Sequence, residues 1–125
     1  MTIRVLTTGG TIDKIYFDAK STYEVGPPNI AEILDNLHLN PRFVVQSILQ
    51  KDSLELTDAD RELIRAQVSQ AGEKHIIITH GTDTMTHTAA VLAEVARQQG
   101  KTIVLTGALS PALFKNSDAM FNIGG

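Results

Sequence analysis

The chain has 125 residues, 42% of them hydrophobic and 20% charged, with a formal net charge of -3. That length suits one domain burying roughly two thirds of its unfolded surface, so a core can form without disulfides or a structural metal. The absence of cysteine excludes a disulfide scaffold, a thiol nucleophile, Cys-ligated zinc and iron–sulfur clusters, while slight acidity, 5% aromatics and no tryptophan argue against a nucleic-acid-binding surface.

Met1-Thr2-Ile3-Arg4-Val5-Leu6 runs directly into a strand pattern, without the charged segment, apolar stretch and cleavage site of a signal peptide. No apolar run approaches the ~18–20 residues of a membrane span, so a cytoplasmic location without membrane contact is the default expectation. The first strand, 3–6, opens into Thr7-Thr8-Gly9-Gly10-Thr11. Residues 13–28 are polar, aromatic-bearing and aperiodic. A segment this long is either a functional or mobile loop or a β-hairpin on the sheet's edge.

A helix follows Pro27-Pro28 over 29–37, with Ile30, Ile33, Leu34 and Leu37 on one face. Residues 43–48 form a weaker strand with a polar tail. Thr57-Asp58-Ala59-Asp60 reads as an N-terminal cap, and the helix it opens is expected to turn Leu63, Ile64, Val68 and Ala71 inward before Gly72. The strand 75–78 leads into Thr79-His80-Gly81-Thr82-Asp83-Thr84. A helix over about 84–99 then carries Ala89, Val91, Leu92, Val95 and Ala96 and stops at Gly100. The last strand, 102–105, opens into Thr106-Gly107-Ala108-Leu109-Ser110-Pro111. Alternation of β-branched strands with amphipathic helices predicts an α/β fold with a mostly parallel sheet and flanking helices, in an order the pattern leaves open.

In such folds ligands sit at the carboxyl ends of the strands, where three loops here gather hydroxyls and glycines. Glycines allow close backbone approach, and loop amides can hold an anion or oxyanion. The chain has no P-loop, G-x-G-x-x-G or G-x-S-x-G pattern. Its histidines, 38, 75, 80 and 87, are not spaced as metal ligands, and His38 and His75 are expected at the surface. What remains is a threonine nucleophile, which needs a base or charged relay, and Thr11 and Thr82 (beside Asp83) are the two best-placed candidates.

Thr8-Gly9-Gly10-Thr11-Ile12 together with His80-Gly81-Thr82-Asp83-Thr84-Met85 resembles the two signatures of the bacterial-type L-asparaginases. Ser21-Thr22-Tyr23-Glu24-Val25-Gly26 resembles that family's lid tyrosine segment. Ser53-Leu54-Glu55-Leu56-Thr57-Asp58 stands where the family has its substrate-binding serine, and Gly107-Ala108-Leu109-Ser110-Pro111 matches a later loop. The resemblance implies an asparaginase N-terminal-domain-like fold with flavodoxin- or Rossmann-like layering. It also implies hydrolysis of L-asparagine to L-aspartate and ammonia through a threonine acyl-enzyme, without cofactor or metal, in a homo-oligomer. Thr11 would attack the side-chain amide, with Tyr23 lying against it. Thr82 and Asp83 would form a second relay with a later lysine. Asp83 would also hold the substrate ammonium and Ser53 its α-carboxylate, with Gly10, Gly81, Thr82 and Ala108 completing the binding set. Amides near Gly10 and Thr82 are the expected oxyanion donors.

This sequence departs from the family pattern at Leu54, where larger members carry a substrate-contacting glutamine; Leu54 is expected to serve packing. The relay lysine would lie beyond Gly125. Lys14 and Lys115, its conceivable substitutes, read as solvated surface residues. Residues 1–125 are thus expected to form a single catalytic domain lacking a C-terminal part, its end at 121–125 resembling a cut at a helix start. The substrate is L-asparagine, or L-glutamine. Three alternatives remain: the amidase-type subunit of a tRNA-dependent amidotransferase, a non-catalytic amino-acid-binding domain, and a flavodoxin-like nucleotide binder.

Overall fold

The computed structural model describes residues 1–125. In chain order its elements are β1 (Thr2–Gly9), β2 (Lys14–Phe17), β3 (Thr22–Val25), α1 (Ile30–Leu37), β4 (Arg42–Lys51), α2 (Asp58–Gln70), β5 (His75–Thr79), α3 (Met85–Gln99), β6 (Thr102–Thr106) and α4 (Ala119–Gly124), with short 3-10 turns at Thr11–Asp13, Asp18–Lys20 and Ser53–Glu55.

Strands of period two send successive side chains to opposite faces, and a parallel sheet buries both. Val5 accordingly faces a core with Ile30, Ile33, Leu34, Ala119 and Ile123, while its neighbour Leu6 faces a second core with Ile64, Val68, Ile76, Ile78, Leu92 and Val95. Thus α1 and α4 cover one face of the sheet, and α2 and α3 the other. The sheet has four parallel strands in the order β4-β1-β5-β6. The chain leaves β1 towards β4 and later returns past it to β5. Crossovers are right-handed, so the change of direction puts the connecting helices on opposite faces. It also opens a crevice between the ends of β1 and β5, as in doubly wound sheets.

The helices follow their sequence signals closely. Ile30, Ile33 and Leu34 are buried along α1. Thr57 caps α2 in a reciprocal box: Asp60 N donates to Thr57 Oγ1 at 3.1 Å and Thr57 N donates to Asp60 Oδ2 at 3.0 Å. Lys51 Nζ lies 2.8 Å from the same Asp60 oxygen, tying the end of β4 to the start of α2. The expected inward set of α2 needs one correction, because Leu63 is 40% exposed and Arg61 is buried instead. Positions 61, 64 and 68 form one helical stripe, and Leu63 lies about 100° from Ile64 around the axis. Lys101 is also buried and donates its ammonium to the carbonyls of Val68 and Ala71 at the end of α2.

The 13–28 segment is a hairpin of β2 and β3, paired antiparallel from Lys14↔Val25 to Phe17↔Thr22. Of the two readings left open, loop or edge hairpin, it is the hairpin, but it forms a separate two-stranded sheet and does not extend the edge of the central one. Its base is held at Asp13, whose carbonyl accepts from Gly26 N at 2.8 Å. No helix is long and apolar enough to cross a membrane.

Replacing the capping hydroxyl, Thr57→Ala, is expected to lower unfolding stability by about 1 kcal/mol. Urea denaturation of both proteins measures it, and an unchanged midpoint would show that the box contributes nothing.

Candidate functional site

The site is built at the carboxyl ends of β1, β4 and β5. Gly9 and Gly10 adopt φ values of 107° and 91°, a region that side-chain-bearing residues avoid. A Cβ on Gly10 would stand 2.5 Å from Gly81 N, and one on Gly81 would stand 2.7 Å from Ser53 Oγ. The Gly10, Gly81 and Ser53 backbones therefore touch in series, which only two glycines permit. The β1–β4 register shifts between Thr7 and Gly9, and Gly10 N then donates to Lys51 O at 3.0 Å. Thr8 Oγ1 donates to Thr79 O at 2.7 Å and closes the β1–β5 side.

Thr11 begins the 3-10 turn that follows this contact and is partly exposed. Thr82 and Asp83 are exposed on the neighbouring loop. Ser53 is only 1% exposed. Its Oγ accepts from Asp83 N at 3.1 Å and its carbonyl accepts from Thr84 Oγ1 at 2.9 Å, so it braces the Thr82–Asp83 loop. The serine hydroxyl proton remains available to donate. The structure thus brings Gly10, Ser53 and Gly81 together, with Thr11, Thr82 and Asp83 on the same loops.

Two of the expected site residues stand apart. The Tyr23 ring is 49% exposed and packs between Tyr16, at a centroid distance of 5.3 Å, and Phe114, at 5.5 Å. No hydrogen bond joins it to Thr11. The Ala108 side chain is buried in the core beside α1 and α4, leaving only its peptide group for a ligand. Leu54 does not pack as expected: it is 74% exposed, because the 3-10 turn that buries Ser53 directs the next side chain outward. Lys14 pairs with Asp52 at 3.1 Å, Lys115 is exposed, and His38 and His75 are at the surface.

Asp13 and Asp118 gave no readable sequence signal as supporting residues, and His80, though part of the second signature, gave none of its burial. Asp13, 2% exposed, accepts from Asn29 N at 3.0 Å, and burial raises its pKa to about 6. Asp118 accepts from the backbone amides of Leu109 and Ser110 and from Asn122 Nδ2, shaping the loop after β6. His80 is fully buried within hydrogen-bond reach of Thr88, and burial pushes its pKa below the ordinary histidine value, with the Arg61 cation acting in the same direction. An isolated Asp or His in a loop carries no pattern by which its burial can be read.

The family model described as "Asparaginase, N-terminal" matches residues 2–125. The chain belongs to the asparaginase family. It is 33% identical over 132 residues to an L-asparaginase of Thermococcus kodakarensis, covering 98% of this chain and 38% of that protein. It is 30% identical over 128 residues to a glutamyl-tRNA(Gln) amidotransferase subunit of Pyrococcus furiosus, covering 98% of this chain and 29% of that one. The solved structure of L-asparaginase I from Vibrio cholerae superposes with a TM-score of 0.79 at 28% identity, over 98% of this chain and 38% of that chain. The asparaginase-type fold expected from the sequence is therefore the observed one. The chain spans well under half the length of each of these relatives.

Two outcomes test this geometry. Gly10→Ala is expected to lower the melting temperature and displace the Gly81 loop, since its methyl group meets backbone rather than a movable side chain; an unperturbed Gly81 amide NMR signal would contradict the contact. Asp13 ionises near 3.8 when unfolded and near 6 when folded, so stability falls as pH rises between those values. The fall amounts to up to about 3 kcal/mol. Asp13→Asn should flatten it, read from urea midpoints at about pH 4 and about pH 7.

Proposed function

We propose that this domain carries the nucleophile side of an amidohydrolase site acting on L-asparagine, with Thr11 as the attacking residue. The observation that carries the reading is the Gly10–Gly81–Ser53 contact, which joins the Thr11 turn to the Thr82–Asp83 loop at the crevice between β1 and β5.

In this reading the Thr11 hydroxyl oxygen bonds to the side-chain amide carbon. The carbonyl becomes a tetrahedral oxyanion, which collapses as the C–N bond breaks and ammonia departs with the threonine proton. Water then hydrolyses the ester and restores Thr11. The Thr82 N–H, which donates to no other group of the protein, is a candidate oxyanion donor together with the amides of the Gly10 turn. The Asp83 carboxylate pairs with the substrate α-ammonium, and the Ser53 hydroxyl donates to its α-carboxylate. Thr82 and Asp83 would complete their relay with a lysine, for which neither the Asp52-paired Lys14 nor the exposed Lys115 is placed. Tyr23, at the tip side of the hairpin, would leave its seat between Tyr16 and Phe114 to close over Thr11 once substrate binds.

A second reading rests on the similarity to the amidotransferase of Pyrococcus furiosus. There the same site would act on an amide within a complex containing tRNA and another protein chain. Co-purification of tRNA or of a second protein with the native protein separates the two.

Ammonia release from L-asparagine and from L-glutamine tests the first reading. Thr11→Val is expected to keep the fold and abolish release, and full activity in that variant overturns the nucleophile. Asp83→Asn is expected to raise KM about tenfold or more, the cost of a lost charge-assisted contact. Tight aspartate binding by the unaltered protein without any ammonia release would instead leave a non-catalytic binder.

A further inference from the structure

Beneath the Thr82–Asp83 loop lies a run of buried polar side chains that the reaction above does not use. Arg61 Nε donates to Thr88 Oγ1 at 3.3 Å. Thr88 Oγ1 lies 2.8 Å from His80 Nε2, and His80 Nδ1 lies 2.6 Å from the carbonyl oxygen of Gly81. His80 and Thr88 are fully buried, and Arg61 is nearly so.

The direction of this chain follows from what each group can do. A carbonyl oxygen only accepts, so His80 Nδ1 carries the ring proton. In the neutral ring Nε2 is then an acceptor and takes the Thr88 hydroxyl proton. Thr88 Oγ1 in turn accepts from Arg61, which can only donate. Every member has a partner and a single sense, so the run is directed from α2, through α3, to the loop after β5.

Its end point is the Gly81 carbonyl. In a trans peptide the C=O and the following N–H point in opposite directions. Holding the Gly81 oxygen against the buried ring therefore turns the Thr82 N–H away from it. Without this restraint the Gly81 carbonyl has no hydrogen-bonded partner in the protein, and glycine itself opposes rotation of the Gly81–Thr82 peptide least. On its other side the loop is braced by Ser53, through Asp83 N and Thr84 Oγ1, and by the close approach of Gly10 to the Gly81 backbone.

We propose that Arg61, Thr88 and His80 form a directed positioning chain that sets the orientation of the Gly81–Thr82 peptide, and thereby of the Thr82 amide, without taking part in proton transfer. Their importance for turnover rests on the amidohydrolase reading; their effect on the peptide does not. Arg61 and Thr88 are thus positioning residues, lying behind the site and acting through His80.

The test uses the full-length protein and three variants. Imidazole 15N shifts are expected to show His80 as the neutral Nδ1–H form. Thr88→Val should disturb that form, speed hydrogen exchange at the Asp83 amide about tenfold, and lower kcat for L-asparagine by a similar factor with a smaller change in KM. Thr88→Ser, which keeps the hydroxyl, should restore all three. Arg61→Met should give smaller changes of the same kind, and serves in place of Thr88→Val if that variant fails to fold. An Nε2–H ring in the unaltered protein overturns the proposal, as do unchanged exchange and tautomer in Thr88→Val. If the unaltered protein releases no ammonia, the amidohydrolase reading fails, while the tautomer and exchange measurements still decide this one.

Discussion

The approach of three backbones at Gly10, Gly81 and Ser53 is the constraint on which the rest of the site depends. Methyl groups at either glycine would push the loops apart by more than a side-chain rotation can relieve, because their neighbours are peptide groups and a buried serine. Close packing here is possible only because β1 shifts register against β4 at its last residues and its glycines take left-handed torsions. The crevice between β1 and β5, which any sheet of this strand order opens, is thereby narrowed to a ledge carrying Thr11 on one side and Thr82–Asp83 on the other.

That ledge stands on buried polar groups rather than on the aliphatic cores beneath each sheet face. Thr8, His80, Thr88 and Arg61 all lie inside, and each bonds to a neighbouring strand, loop or helix. Paired in this way, such groups specify one arrangement, since breaking any link strands a donor or acceptor away from water. Asp13 is the exception in kind. Its carboxyl is buried with one amide partner, and burial outweighs that partner in raising its pKa, so ionisation is opposed at the junction of the Thr11 turn, the hairpin and α1.

Membership of the asparaginase family accounts for the architecture, and the differences from the family pattern lie at the margin of the site. Leu54, expected to serve packing, projects outward at the position where the family pattern has a glutamine, and the Tyr23 ring of the hairpin, expected beside Thr11, rests on Phe114 in the loop after β6.

The four strands of the central sheet, α1 to α3 and the capping of α2 were legible in the chain because each depends on neighbours in sequence: β-branched runs, an i, i+3, i+4 stripe in α1, the Thr57–Asp60 box. The paired glycine and threonine loops were legible as well, since strand ends carry that signal locally. Leu63 is misplaced because a periodic pattern does not distinguish adjacent candidates for the same stripe, and the burial of Arg61 is accompanied by its hydrogen bond to Thr88 on another helix. The pairing of the hairpin with itself, the burial of Asp13 and the sense of the His80 hydrogen bonds have the same origin. By itself the sequence determined the central strands, the three longer helices and the residue types at their ends; the tertiary structure alone decided how the 13–28 segment pairs and which buried polar atoms meet, because both are settled by distances between groups far apart in the chain.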